Sequence, residues 1–405
     1  MRVTQQSIQN GWLQDIQQRL GTIDTLNRQV GSGVRVVKPS DDPAAASRIV
    51  RLDEVVARNE QYLKNIDEAL ARNQSTDSAL DQVYQRMVQA KSLAVEGANS
   101  ASMALSASFR ALADEVGGLK GGLLQIAGTR QEGRYLFSGT ADERAPFGSG
   151  GGPYVGDSNQ LRINLGNGQV AAVNLPGDRA FRETEVRGDK PLPVDGTGQV
   201  VLGADLVFRV SDGTRSSDGT PRSVAVTVPA GNYEPSALAK AIDDQLTAGG
   251  VNVRAGLTDT GALRLSLAND LQGGEMTLED VSGGLHSTLG LTAGTKNLFG
   301  LLDDLQAALG SEDPSQVSGL LDRLDRALDS LGLQRGLVGT QGRNLDFAKT
   351  RLEAYNATTD SLKSQIEGVD TVQAITKLST EQQAYQTALA SGARILNVSI
   401  LDYLR

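Results

Sequence analysis

The chain has 405 residues, enough for two or three domains, and it contains no cysteine and a single histidine. Its net charge of −9 argues against a nucleic-acid partner and against an anionic membrane surface, since either would favour a basic face. The missing cysteines exclude disulfides, thiolate metal sites and cysteine nucleophiles, and no stretch approaches the roughly 18 consecutive apolar residues that cross a membrane.

The first part of the chain has the pattern of long helices. Residues 3–32 carry apolar side chains in the three–four spacing of one amphipathic helix, which is stopped by a Gly-Ser-Gly sequence. Asp42 is predicted to cap the next helix, with Pro43 at its first position, where the missing N–H costs nothing. That helix is expected over 44–98, and a further helix over about 104–134.

The middle of the chain has a different composition. Most of the glycine and proline follows residue 139, and runs such as 206–210 and 223–228 alternate apolar and polar side chains between turn residues. These patterns predict one or two small β-rich domains over 145–295, with a short helix at 237–246.

Helical spacing returns at Leu298 and continues to the end of the sequence, with a new helix opening at Pro314. Several glycines in 331–343 predict a local break or a close approach between helices. Gly368 is expected to separate a helix over 345–366 from the last helix, over 370–403.

These elements predict an α + β multidomain protein. Its N- and C-terminal segments are expected to form a long α-helical coiled-coil or bundle rod, with a β-rich domain inserted between them. The predicted segments are an N-terminal coiled-coil assembly segment (1–40), the two halves of a helical rod (41–143 and 296–368), a β-rich outer domain (145–295) and a C-terminal coiled-coil assembly segment (369–405).

Both ends of the chain carry apolar residues at coiled-coil spacing, and such a seam needs a partner. The two ends can zip together within one chain, or they can also pack against neighbouring copies. Because the last residues remain apolar where chain ends are usually polar, the pattern favours assembly. The predicted assembly interface consists of Leu13, Ile16, Leu20, Ile23, Val30, Leu378, Tyr385, Leu389 and Leu396.

No combination of residues predicts catalysis. The single histidine, His286, has no second histidine, cysteine or acidic cluster at ligand spacing. Asp41 and Asp42 could form a pair of catalytic acids, but the start of a helix explains both. No phosphate-binding glycine motif is present. We therefore expect a protein that is not an enzyme, with no catalytic residues, no cofactor and no metal.

Four sequence blocks resemble the flagellin superfamily. Residues 31–49 resemble its Ser-Gly…Ser-Asp-Asp-Pro-Ala signature, and 61–66, 133–139 and 393–405 are similar to further family motifs. Within the superfamily, the opening Met-Arg-Val-Thr, the Pro-Ser-Asp-Asp-Pro sequence and the closing Leu-Asp-Tyr-Leu-Arg are similar to the hook-associated (FlgL-type) junction proteins rather than to flagellins.

The resemblance implies a structural adaptor of the bacterial flagellum at the hook–filament junction, which polymerises by terminal coiled-coil packing and templates flagellin assembly. The implied partners are further copies in a ring, a second hook-associated junction protein, flagellin and a flagellar export chaperone. The implied location is the extracellular flagellum, reached through the flagellar type III channel without a cleavable signal.

Two alternatives remain open at this point. The chain could be flagellin itself, which would have the same fold at a different place in the polymer. It could also be a secreted adhesin or glycan-binding module, which would need an aromatic-lined groove in the β-rich region. That region offers few aromatic side chains for such a groove, among them Tyr154, Phe181, Phe208 and Tyr233.

Overall fold

The computed structural model describes residues 5–99, 106–166, 168–215, 221–268 and 274–403. In chain order, the helices are α1 (Gln5–Ser32), α2 (Pro43–Asn99), α3 (Ser106–Ala127), α4 (Gly177–Ala180), α5 (Pro235–Ala248), α6 (Leu285–Leu289), α7 (Leu298–Gly310), α8 (Pro314–Glu367) and α9 (Thr371–Tyr403). The strands are β1 (Arg130–Gln131), β2 (Arg134–Tyr135), β3 (Arg162–Asn164), β4 (Val170–Ala172), β5 (Glu185–Arg187), β6 (Val200–Leu202), β7 (Leu206–Arg215), β8 (Pro221–Val228), β9 (Gly231–Tyr233), β10 (Val253–Leu257), β11 (Leu263–Leu267), β12 (Met276–Asp280) and β13 (Gly294–Lys296).

The described residues form two compact units. The first joins the residues up to Lys64 with those from Lys349 onwards, and the second comprises Asn65–Ala348. Both boundaries fall inside helices, in α2 and in α8. The backbone hydrogen bonds of a helix are made within the helix, so each helix can continue from one unit into the other. The five segments predicted from the sequence do not coincide with these units, and they stay a prediction.

The first unit pairs segments from the two ends of the chain. Helix α1 lies against α9, and the N-terminal part of α2 lies beside the C-terminal part of α8. The second pair is joined by a hydrogen bond from Asn59 Nδ2 to Asn356 Oδ1 (2.8 Å) and by an ion pair between Lys363 and Asp53 (2.6 Å). Its polar contacts therefore link residues about 300 positions apart, as a chain that folds back on itself requires.

The second unit contains a helical core made by α2, α3, α7 and α8. Apolar side chains at helical spacing are buried there, including Leu80, Val83 and Met87 of α2. A cluster of four phenylalanines closes this core, with ring centroids 4.8–5.7 Å apart, and consists of Phe137, Phe147, Phe181 and Phe299. Residues 147–181, expected in the outer domain, therefore contribute side chains to the helical core.

Strands β5 to β12 contribute to a second core, which runs from Val186 to Leu291. Its sheets are antiparallel, with strand orders β13-β12-β7-β8 and β10-β11-β5. Strand β11 alternates buried and half-buried positions, which is the pattern that predicts a strand from sequence. Helix α5 covers this core with Leu238, Ile242 and Leu246, spaced four residues apart. One continuous hydrophobic core thus holds this region together.

One expectation for the helices needs correction, and for 331–343 one of the two predicted alternatives is found. Helix α3 ends at Ala127, not near residue 134, because a tight hairpin follows in which Glu132 and Gly133 adopt φ of 52° and 82°. Helix α8 is continuous through 331–343, so no break occurs there. The close approach is present instead: Asn73 Nδ2 donates to the Val338 carbonyl at 3.0 Å, and a Cβ at Gly342 would lie 2.8 Å from Asn73 Oδ1.

The predicted fold class, an α + β multidomain protein with helical ends and a strand-rich insertion, is confirmed. None of the helices in the described ranges is long and apolar enough to cross a membrane.

Candidate functional site

The pair formed by α1 and α9 is centred on Trp12, the only tryptophan in the sequence. Its indole Nε1–H donates to the Ala388 carbonyl at 2.9 Å. A Cβ on Gly392 would lie only 2.2 Å from the indole ring, so the missing side chain at Gly392 provides the space that the ring fills. Further along, Arg19 of α1 pairs with Glu381 of α9 at 3.1 Å. The later residue of α1 contacts the earlier residue of α9, so the two helices run antiparallel.

The nine predicted interface residues fall into groups with different burial. Ile16, one turn from Trp12, is only 8% exposed. Four others are half-buried, namely Ile23, Val30, Leu378 and Tyr385. Three leucines are 40–48% exposed, namely Leu13, Leu20 and Leu389. The side chain of Leu396 lies outside the described residues.

The exposed leucines form stripes on the outside of the pair. Leu13 and Leu20 are seven residues apart and therefore lie on one face of α1. On α9, Leu389 shares a face with Ile375, fourteen residues earlier, which is 52% exposed. One side of each helix is thus buried in the contact around Trp12, and another side of each helix exposes apolar side chains to solvent.

The capping residues lie where the sequence predicts a helix start. Pro43 is the first residue of α2, and Asp42 Oδ1 accepts the Ala45 backbone N–H at 3.0 Å. Asp42 Oδ2 pairs with Arg35 Nη1 at 2.9 Å. The Ala45 N–H and then the Arg35 guanidinium lower the pKa of Asp42 below its ordinary value, since both favour the ionised carboxylate. The neighbouring carboxylate of Asp41 accepts two backbone N–H groups of the preceding turn.

The loop before α2 is also tied to the break between α8 and α9. The Arg35 N–H donates to the Glu367 carbonyl at 2.6 Å, and Arg35 Nη2 donates to the Ile366 carbonyl at 3.2 Å. The Val369 N–H donates to the Gly33 carbonyl at 3.1 Å, and Gly33 adopts a φ of +72°, which favours glycine. These bonds hold the α1–α2 turn beside the α8–α9 turn, which fixes where α9 begins relative to α1.

Three residues of this arrangement were not predicted from the sequence: Trp12, Gly392 and Arg35. Trp12 is four residues before Ile16, the position of a neighbour on the same helix face, and this spacing was the available signal. Arg35 lies inside the signature block, but nothing local indicates that it contacts residues 366–367.

The described residues contain no group of three or more histidine, cysteine, aspartate or glutamate side chains that could hold a metal ion. His286 lies in the short helix α6 with a largely exposed side chain, 3.9 Å from Asp189.

Two family models match the ends of the chain. The N-terminal helical region of bacterial flagellin matches residues 3–142, and the C-terminal helical region matches residues 321–404. The first matched region contains α1 and the second contains α9.

Individual relatives carry a more specific name. Flagellar hook-associated protein 3 of Escherichia coli strain K12 is 36% identical over 155 residues, which are 38% of this chain and 48% of that protein. The protein of the same name from Salmonella typhimurium strain LT2 is 32% identical over 158 residues, 38% of this chain and 49% of that protein. The chain thus spans about half the length of the curated relatives it matches.

A solved structure supports the fold. The crystal structure of flagellar hook-associated protein 3 from Legionella pneumophila matches with a TM-score of 0.51 at 15% identity, over 78% of this chain and 98% of that chain. A likeness at this identity concerns the fold alone. Because the flagellin models of both terminal helical regions match, and together cover more than half of the chain, the chain belongs to the flagellin superfamily.

Proposed function

We propose that this chain is a structural subunit of the bacterial flagellum that joins the hook to the filament and has no enzymatic activity. The observation that carries the proposal is the α1–α9 pair, which closes around Trp12 and still leaves Leu13, Leu20 and Leu389 exposed. The names of the relatives support the hook-associated role over flagellin, the alternative with the same fold.

The driving force for assembly is burial of these exposed apolar stripes against neighbouring copies. Fully burying a leucine side chain contributes about 1.5–3 kcal/mol, so each half-exposed leucine can add roughly 1 kcal/mol. The exposed leucines alone do not offset the cost of ordering two chain ends, about 1–2 kcal/mol per residue, so further contacts with a neighbour are needed. Assembly therefore depends on a neighbour that already presents an ordered surface, and an adaptor at a junction meets that condition.

The partners we propose follow from the family resemblance. They are further copies in a ring, a second hook-associated junction protein on the hook side, and flagellin on the filament side. An export chaperone would mask the C-terminal segment before export through the flagellar type III channel, and the final location would be the extracellular flagellum.

The test of the role is a deletion of the gene, followed by electron microscopy of the cells and an assay for flagellin in the medium. Hooks without filaments, beside abundant unpolymerised flagellin outside the cell, are expected. Filament subunit missing from both cell and medium would identify the chain as flagellin, and intact motile filaments would refute both assignments.

The test of the interface is Leu389→Asp in the full chain. A charge in the exposed stripe should abolish incorporation into flagella while the helical content and the thermal transition stay unchanged. The matched control is Gln383→Asp, an exposed polar position on the same helix, where the same charge should be tolerated. Normal incorporation of the Leu389 variant would refute the interface.

A further inference from the structure

A small cavity of about 160 Å³, lined largely by polar residues, lies in the second unit between one face of the sheet that contains β7 and β12 and the loops around α4. Ser211 of β7 and Thr277 of β12 are directly opposite each other in the ladder, so their side chains share one face of the sheet. Glu275 directly precedes β12 and is two residues from Thr277, which places it on the same face. Asp178 of α4 and Ser158 line the cavity as well.

The two carboxylates of this cavity are deeply buried. Glu275 is 5% exposed, and its oxygens accept from Asn297 Nδ2 (2.8 Å) and from the Tyr154 backbone N–H (2.9 Å). Asp178 is 2% exposed, and its Oδ2 accepts the Ser158 hydroxyl at 2.5 Å. Its other oxygen, Oδ1, is buried and has no hydrogen-bond partner among the residues that the structure describes. A buried carboxylate oxygen without a partner is costly, so this atom requires an explanation.

The charge of the pair is only partly compensated. Burial raises the pKa of Asp178, although its hydrogen bond with Ser158 and the nearby cations Arg179 and Arg182 act in the opposite direction. Burial raises the pKa of Glu275 to about 7, and the proximity of Asp178 adds to the effect. Ionisation of either carboxyl is therefore opposed by burial, and a bound cation would favour it.

We propose that this cavity binds a calcium ion between Asp178 and Glu275. The side chains around it offer oxygen ligands, including the hydroxyls of Ser158, Ser211 and Thr277, and Ca²⁺ takes six to eight oxygens in flexible geometry. A site with only two carboxylates completes its shell with water and binds weakly, in the range of about 10⁻⁴–10⁻³ M found in extracellular modules. The ion would join α4 to the start of β12, two segments nearly 100 residues apart in sequence.

The test uses the full chain after treatment with a chelator. Titration with calcium chloride in a calorimeter is expected to show one saturable site. At 10 mM Ca²⁺ and a dissociation constant of about 1 mM, hydrogen exchange of the segments at 153–158, 176–180 and 274–279 should slow about tenfold. The same ionic strength of sodium chloride should have no such effect.

Three variants locate the ion. Asp178→Asn and Glu275→Gln should each abolish the calcium response, because each removes one of the two charges. The matched control is Glu279→Gln, on the same face of β12 but 58% exposed at its side chain and paired with Arg209, which should keep the full response. If Asp178→Asn does not fold, Glu275→Gln and the titration of the parent chain decide the question.

Proton competition gives an independent readout. Because protons and calcium compete for the same two carboxylates, calcium affinity should fall as the pH is lowered from 8 to 6. The proposal is overturned if calcium has no more effect than sodium chloride, if Glu275→Gln binds as the parent does, or if Glu279→Gln loses the response equally.

Discussion

Gly392→Ala is the sharpest test of the pairing between α1 and α9. The added methyl would lie 2.2 Å from the indole ring of Trp12, well inside van der Waals contact, so the ring must move. Overpacking of this kind costs about 1–3 kcal/mol, and displacing the indole also endangers its hydrogen bond to Ala388, worth about 0.5–1.5 kcal/mol. Alanine in place of glycine in a helix gains about 0.8–1.0 kcal/mol. The net effect is a loss of roughly 0.5–3.5 kcal/mol in the free energy of pairing.

The matched control is Gly21→Ala on α1, where an added Cβ would meet nothing within 4 Å. Only the helix propensity changes there, so the same substitution should stabilise the pair by about 0.8–1.0 kcal/mol. Hydrogen exchange of peptides from both helices measures the opening free energy. Trp12, as the sole tryptophan, also reports the displacement of its ring through a red shift of its emission.

A double substitution identifies the ring as the cause. With Trp12→Ala as background, Gly392→Ala has no indole to meet, and it should become stabilising to the same extent as Gly21→Ala. Equal stabilisation of the pair by Gly392→Ala and Gly21→Ala, with Trp12 present, would refute the predicted clash between the added methyl and the indole ring.

Two further predictions concern buried charges of the second unit. Arg323 pairs with Glu183 (2.9 Å), whose side chain is 4% exposed. Arg323→Met would leave the buried Glu183 carboxylate unpaired and should lower the unfolding free energy, measured by urea titration, by about 3–5 kcal/mol. Adding Glu183→Gln removes that unpaired charge and should restore part of the loss. An unchanged midpoint for the single variant would contradict this. Burial raises the pKa of Glu275 from 4.5 to about 7, so the folded state binds its proton more tightly than the unfolded state. Protonated Glu275 therefore contributes at most about 3 kcal/mol to the free energy of unfolding, and this contribution is complete below pH 4.5 and is lost as pH rises through 7. Glu275→Gln should remove this pH dependence of the unfolding free energy in calcium-free buffer.

Local signals predicted the helix starts well. The first residues of α2 and α8 are Pro43 and Pro314, as the sequence indicates. Proline favours a first helical position because its fixed φ suits the helix and its missing N–H has no partner to lose there. The start of α5 was placed two residues late, at 237 rather than at Pro235. These features depend on neighbours within a few positions, which a sequence displays directly.

Of the two alternatives predicted for 331–343, a break in the helix or a close approach between helices, only the close approach is found. Each interior glycine costs about 1 kcal/mol relative to alanine, whereas Leu331, Val338 and Leu345 of the same helix are each buried and contribute about 1.5–3 kcal/mol. Burial against the rest of the helical core therefore outweighs the local preference. The number of apolar neighbours at these positions depends on distant segments and cannot be obtained from the stretch itself.

The polar cavity was not predicted for a related reason. Its lining residues come from separate segments, with Ser158 and Asp178 far in sequence from Ser211 and Glu275. Each of these side chains has the character of a surface residue when seen in its local sequence. Only the folded arrangement brings them together and buries the carboxylates.

The coiled-coil spacing predicted which residues are apolar on α1 and α9, but not which of them face the other helix. Trp12 decides this, because its N–H finds an acceptor at Ala388 and its ring finds space at Gly392, and the exposed leucines are thereby turned outward. Leu389 and Gly392 are three residues apart on one helix yet serve different contacts. Gly392→Ala should loosen the pair within one chain without changing the outer stripe, whereas Leu389→Asp should block incorporation with the pair intact. Opposite outcomes for the two variants would mean that the inner and outer surfaces have been exchanged.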